Sequence, residues 1–202
     1  MPTATYPEIQ DYALRKLRTG LTEKHTYHHL KHTVDVVAQC TAISDLEMVN
    51  SAEDLFLLKV GALYHDMGFL FTYQGHEAKS CEIADTDLTL FKFTDRQKEV
   101  IFNLIKATQV PQKPQTQLEE IICDADLDYL GRSDFYVIGE GLYQEFLWQG
   151  IVKNERDWNQ VQIKFLENHC YFTASSKKRR EEQKQVYLAQ IKKKVAPWEH
   201  LF

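Results

Sequence analysis

Histidines and acids are clustered in this sequence. Of its eight histidines, His25, His28, His29 and His32 stand close together, and His65 is followed directly by Asp66. With a helix starting near residue 28, His28 and His32 fall one turn apart on one face, and His29 shares a face with His32 at the alternative spacing. Imidazoles so spaced suit a divalent metal or a phosphate. His65-Asp66 closes an apolar segment just before Gly68, where an unpaired charge would be costly to bury. Asp124 and Asp126 interrupt the apolar run Ile121-Ile122-Cys123 and raise the same question, since lone carboxylates are seldom buried. Two imidazoles and two carboxylates make a mixed nitrogen and oxygen site that suits Mn, Fe, Co, Ni or Zn. With a coordination position open, such a site brings water to hydroxide near neutral pH and polarises a phosphoryl oxygen. No thiolate belongs to the set, which argues against a structural zinc. His25 lies outside the expected helix and is read as carrying no function.

The order His32, His65-Asp66, Asp126 resembles the H…HD…D signature of the HD-domain superfamily of metal-dependent phosphohydrolases. The words Tyr27-His28-His29-Leu30-Lys31-His32-Thr33, Ala62-Leu63-Tyr64-His65-Asp66-Met67-Gly68 and Asp124-Ala125-Asp126-Leu127-Asp128 resemble its motifs, over about residues 20–140. The resemblance implies an all-α helical bundle with one metal per chain on His32, His65, Asp66 and Asp126. Its choice of Asp126 over Asp124 rests on the local context Ala125-Asp126-Leu127. His28 matches a position that faces the substrate phosphate in several members, where it would give a proton to the leaving oxygen. His76-Glu77-Ala78-Lys79-Ser80 resembles a further family word, His-Glu-x-x-Ser. Catalysis is thus expected from His28, Glu77 (as base) and Asp66, and substrate contacts from His29, His76 and Lys106. For Glu77 and Lys106 the plain alternative is an exposed helix residue. Phe69 stands where some members carry a glutamate, and Thr108 where two-metal members carry a histidine, which favours a single metal. The implied function is hydrolysis of a phosphate ester or anhydride, expected to be a nucleotide. The alternative is a catalytically weak metal- or nucleotide-binding regulatory module of the same fold.

The elements that must position these residues read as helices throughout. Tyr6, Ile9, Ala13 and Leu17 recur at helical spacing before Gly20; Leu30, Val34, Val37 and Thr41 predict a second inward face. Ser51 with Asp54, Thr94 with Gln97, and Thr116 with Glu119 mark helix starts. The segment 55–63 is apolar nearly all round and is expected to run through the centre. Pro111 and Pro114 mark a loop, further helical stretches hold Leu142, Phe146 and Trp148 and then Val161, Phe165 and Leu166, and the last helix is expected from about Ser176 to Val195. Lys177-Lys178-Arg179-Arg180 reads as a solvated helix face.

The chain of 202 residues suits a single domain, with helices from about 141 to 196 packed on the motif core. Its balance of 24 basic against 29 acidic residues gives a net charge of -5, which argues against a nucleic-acid polymer as partner. No apolar run is long enough for a membrane span, and the N-terminus lacks the pattern of a signal peptide. Cys40, Cys81, Cys123 and Cys170 form no CxxC pair and are expected as buried free thiols. A cytoplasmic protein acting on a small phosphate-bearing molecule is the expectation. Aromatics beyond residue 141 are expected to complete the core, with a homodimer contact left open.

Overall fold

In the computed structural model, which describes residues 2–199, the regular elements are helices, and no strand occurs among the described residues. Helix α1 (Tyr6–Gly20) begins where the Thr5 N–H and hydroxyl both donate to Glu8, and it buries Ile9, Ala13 and Leu17 as a stripe. Helix α2 (Leu30–Leu46) starts later than the histidine spacing suggested. His29 is its N-cap, with extended backbone at φ -131° and ψ 177°, so His28 lies in the preceding loop. The inward stripe of α2 runs through His32, Val36, Cys40 and Ile43, which turns Val34, expected inside, outward to 42 % exposure.

Helix α3 (Ala52–Tyr64) is central, as its all-round apolar character predicts. It packs against α1, α2, α4 (His76–Leu90), α5 (Asp95–Ala107) and α6 (Gln117–Asp126). The Ser51, Thr94 and Thr116 side chains each accept the N–H that their spacing assigned to them, on Asp54, Gln97 and Glu119. The core of this half gathers Ile9, Val36, Leu58, Leu63, Ile101 and Ile122.

Beyond α6 come a 3-10 turn (Asp128–Gly131) and helices α7 (Phe135–Trp148), α8 (Glu155–Asn168) and α9 (Ala174–Glu199). A second apolar cluster, including Tyr27, Leu127, Leu130, Phe135, Leu166 and Tyr187, joins them to the loop before α2. Helix α9 packs on α8, on the 3-10 turn and on α2, and it continues past Pro197. Its basic run is not all solvated: the Arg180 guanidinium grips the buried Asp128 through Nε and Nη2 at 2.8 and 2.9 Å. A carboxylate out of water needs such a bidentate partner, and that need turns Arg180 inward. Of the free thiols Cys40 and Cys123 are buried and Cys81 is half-buried, whereas Cys170, in the link between α8 and α9, is exposed against expectation. Among the described residues no helix is long and apolar enough to cross a membrane.

Candidate active site

Three packed helices deliver the acids and imidazoles to one point. His32 comes from the first turn of α2, His65 and Asp66 from the C-terminal end of α3, and Asp126 from the last residue of α6. The His32 and His65 Nε2 atoms are 3.3 Å apart. Asp66 Oδ2 is 3.3 Å from the first and 3.2 Å from the second, and Asp126 Oδ1 lies at 3.1 and 3.5 Å from them. Ligands held about 2.1 Å from a metal at tetrahedral or octahedral angles lie roughly 3.0–3.4 Å from one another, so His32, His65 and Asp66 could hold such an ion, with Asp126 beside them. His65 Nδ1–H donates to the Ala62 carbonyl at 2.8 Å, which leaves the lone pair of the neutral ring on Nε2. Beyond the imidazole nitrogens the buried Asp66 Oδ2 has no hydrogen-bond donor, the condition of an oxygen shaped for a cation.

Without a cation the cluster must hold protons. Burial disfavours an imidazolium at His32, but hydrogen bonds and charge from Asp126 and Asp66 outweigh it and raise His32 to about 9. His65 is raised well above the ordinary range, its burial overcome by the same carboxylates. Burial in turn opposes the charge on Asp66 and Asp126, yet the imidazoles hold Asp66 well below the carboxylate range and Asp126 at about 2. A divalent ion would take over the work of those protons.

The turn after His65-Asp66 is folded tightly onto α4. A Cβ on Gly68 would come within 1.9 Å of the His76 carbonyl oxygen, so only glycine permits this approach. The Gly68 N–H donates to Ser80 Oγ at 2.7 Å, which explains the serine of the His-Glu-x-x-Ser word. The approach sets His76 Nε2 3.4 Å from Asp66 Oδ1 and 3.6 Å from Glu77 Oε1. His76 Nδ1–H donates to the Tyr73 carbonyl at 3.2 Å, fixing the ring. Burial lowers the His76 imidazole, and Asp66 and Glu77 more than reverse it.

His28 reaches the same place from the loop before α2. Its Nδ1–H donates to Glu145 Oε1, while Glu145 Oε2 accepts the backbone N–H groups of Tyr27 and His28 at 3.0 Å each. Burial works against the charge of Glu145, but His28 and those N–H donors hold its pKa below the ordinary value. The His28 ring stacks on Phe69 at 4.0 Å between centroids, and Phe69 stacks on His76 at 4.0 Å. His28, Asp66, Phe69, His76, Glu77 and Asp126 all line one cavity of about 780 Å³.

A family model described as HD domain matches residues 26–128, just over half of the 202 residues. The chain belongs to the HD-domain family. This family is part of a superfamily of metal-dependent phosphohydrolases, and the all-α architecture is that of an HD domain. Comparison with curated proteins and with solved structures gave no match.

Within this HD domain the two neighbouring aspartates do different work. Asp124 accepts the N–H of Phe172 and the N–H and hydroxyl of Thr173 at 2.7–2.8 Å, securing the start of α9, while Asp126 faces the imidazoles. Two expected substrate contacts are placed elsewhere. The His29 ring caps α2, its Nδ1 accepting the His32 N–H at 3.3 Å, and Lys106 is exposed on the outer side of α5, whose inner face is Ile101, Leu104 and Ile105. Neither lines the cavity. His25 contacts Thr22 and is not part of the cavity lining. Glu145 was missed by sequence reasoning, since it lies beyond the resemblance over about residues 20–140. The available signal was a single acid inside the apolar stretch Leu142-Tyr143-Gln144-Glu145-Phe146-Leu147.

Proposed function

We propose that this HD domain is a metal-dependent phosphohydrolase that cleaves a small-molecule phosphate ester or anhydride. One observation carries the reading: His32, His65, Asp66 and Asp126 converge at 3.1–3.5 Å beside a cavity that His28 also faces. A divalent transition metal, one per chain, would supply a polarised phosphoryl oxygen and water of lowered pKa. The protein's own groups do the rest. Asp66 and Asp126 match the charge of the cation, and His76 holds the second oxygen of Asp66. Glu77, buried beside His76, takes a proton from the attacking water. The water oxygen bonds to phosphorus, the bond from phosphorus to the leaving oxygen breaks, and that oxygen takes a proton from His28 Nε2. Glu145 acts through His28, holding Nδ1–H so that Nε2 is turned to the reaction. The family resemblance alone implies a nucleotide as the bearer of the phosphate. The regulatory-module reading has Phe69 in its favour, an aromatic ring in place of a water-orienting acid.

Phosphate and pyrophosphate release from a panel of nucleotides and simple phosphate esters, with Mn supplied, tests the proposal. Release by the wild type and none by Asp66→Ala is expected. Metal bound at one per chain with no release from any ester would leave the regulatory module instead.

A further inference from the structure

The cavity is divided by chemistry. Its charged lining is Asp66, Glu77 and Asp126 with His28 and His76, and all of it comes from residues within the matched span 26–128. The other walls, which follow that span, are mainly apolar, with Leu130, Leu142, Phe146, Trp158, Val161 and Phe165, and carry Gln149 and Gln162 as uncharged polar groups. Among the described residues no lysine or arginine lines the cavity. A di- or triphosphate would therefore bring several negative charges to three carboxylates and one cation, with no guanidinium or ammonium to meet them.

The apolar walls are built in advance. Trp158 is held between Tyr143, stacked at 5.7 Å, and Phe146, edge-on at 5.7 Å. Leu142, which packs on the second apolar cluster, and Phe146, which packs on Trp158, are both only half-buried because each also faces the open volume. Its size falls within the range of pockets that enclose a whole organic ligand. Apolar surface left open in this way favours an apolar occupant.

We propose that the substrate is a phosphomonoester of a bulky apolar alcohol, whose hydrocarbon or aryl part sits in the chamber lined by α7 and α8. The inference rests on the phosphohydrolase reading for the phosphate end only. Hydrolysis takes one water, breaks the bond from phosphorus to the ester oxygen, and releases inorganic phosphate and the free alcohol, the ester oxygen keeping the electron pair and a proton. A nucleotide, with ribose hydroxyls and base edges to satisfy, is the competing occupant.

Binding of methyl-, butyl- and hexylphosphonate and of AMP and ATP to the full chain with Mn, measured by calorimetry, tests the chamber. Affinity is expected to rise about fourfold per added methylene. Leu142→Gln and Val161→Thr should each weaken hexylphosphonate at least about fourfold and leave methylphosphonate unchanged. A variant that loses methylphosphonate as well has a damaged fold, and the wild-type chain-length series then decides alone. No dependence on chain length, or tighter binding of AMP or ATP than of hexylphosphonate, overturns the proposal. Phosphate release from the matching esters is scored separately. A chain-length gradient without release keeps the chamber and removes the hydrolase, whereas release without a gradient removes the chamber and keeps the hydrolase.

Discussion

The two ends of the cavity are built by different rules. At the charged end three imidazoles are each held by a second group: His65 by the Ala62 carbonyl, His76 by the Tyr73 carbonyl, and His28 by Glu145. At the other end rings and aliphatic side chains predominate and are fixed mainly by packing, with Gln149 and Gln162 the polar groups among them. A metal centre tolerates little displacement, so its support is a network; an apolar chamber needs only shape and dryness. Substitutions at the charged end should therefore be severe for metal and turnover, and those away from it should spare both.

The sharpest contrast within one helix is between Asp126 and Asp124. Asp126→Ala should lose metal and drop phosphate release to background with the fold intact, as metal content and circular dichroism would show. Asp124→Ala should keep the metal ligands but cost about 3 kcal/mol of stability in denaturant unfolding, because three donors at the start of α9 lose their acceptor. If both variants lost metal with equal stability, the division of labour would be wrong.

Glu145→Gln should come next. It removes the carboxylate that holds His28 and leaves the metal ligands untouched, so kcat should fall by about 10–100-fold at unchanged metal content, with an altered pH profile. An unchanged pH profile would reduce Glu145 to a structural anchor.

The charged end should also respond to pH. His32 carries a proton up to about 9 in the metal-free protein, so metal must displace it. Metal affinity should therefore climb by about tenfold per pH unit below about 9, and level off above it, on account of His32 alone. Stability of the metal-free form follows the opposite sign. The raised His32 contributes fully below its unfolded value near 6.5, and that contribution fades as pH rises through about 9. The depressed Asp126 contributes above about 3.8 and loses it as pH falls through about 2. Thermal unfolding of the chelated protein across that range would check both limbs. The smallest effect is expected from Lys106→Ala, an exposed residue off the cavity, with kcat/KM within about twofold of wild type.

Much of this was legible in the sequence. Caps at Ser51, Thr94 and Thr116 and the all-round apolar segment of α3 are local signals, and local signals survive folding. That His32, His65, Asp66 and Asp126 come together was legible because they sit in short words on or at the ends of three helices. Three things were not. His28 lies in a loop because His29 takes the N-cap, with extended backbone and its ring accepting the His32 N–H, and histidine is not among the usual capping residues. Arg180 and Asp128 find each other across 52 positions, so a basic run that looks solvated hides a buried anchor. Glu145 carries no motif, and its role exists only because α7 folds back over the loop holding Tyr27 and His28.

The central claim is that one metal-binding set drives phosphate hydrolysis. The direct test is metal content and phosphate release measured together on Mn-loaded wild type and Asp66→Ala. One metal per chain with turnover in the wild type, and neither in the variant, is the predicted result. An Asp66→Ala protein that keeps stoichiometric metal and full turnover would contradict it.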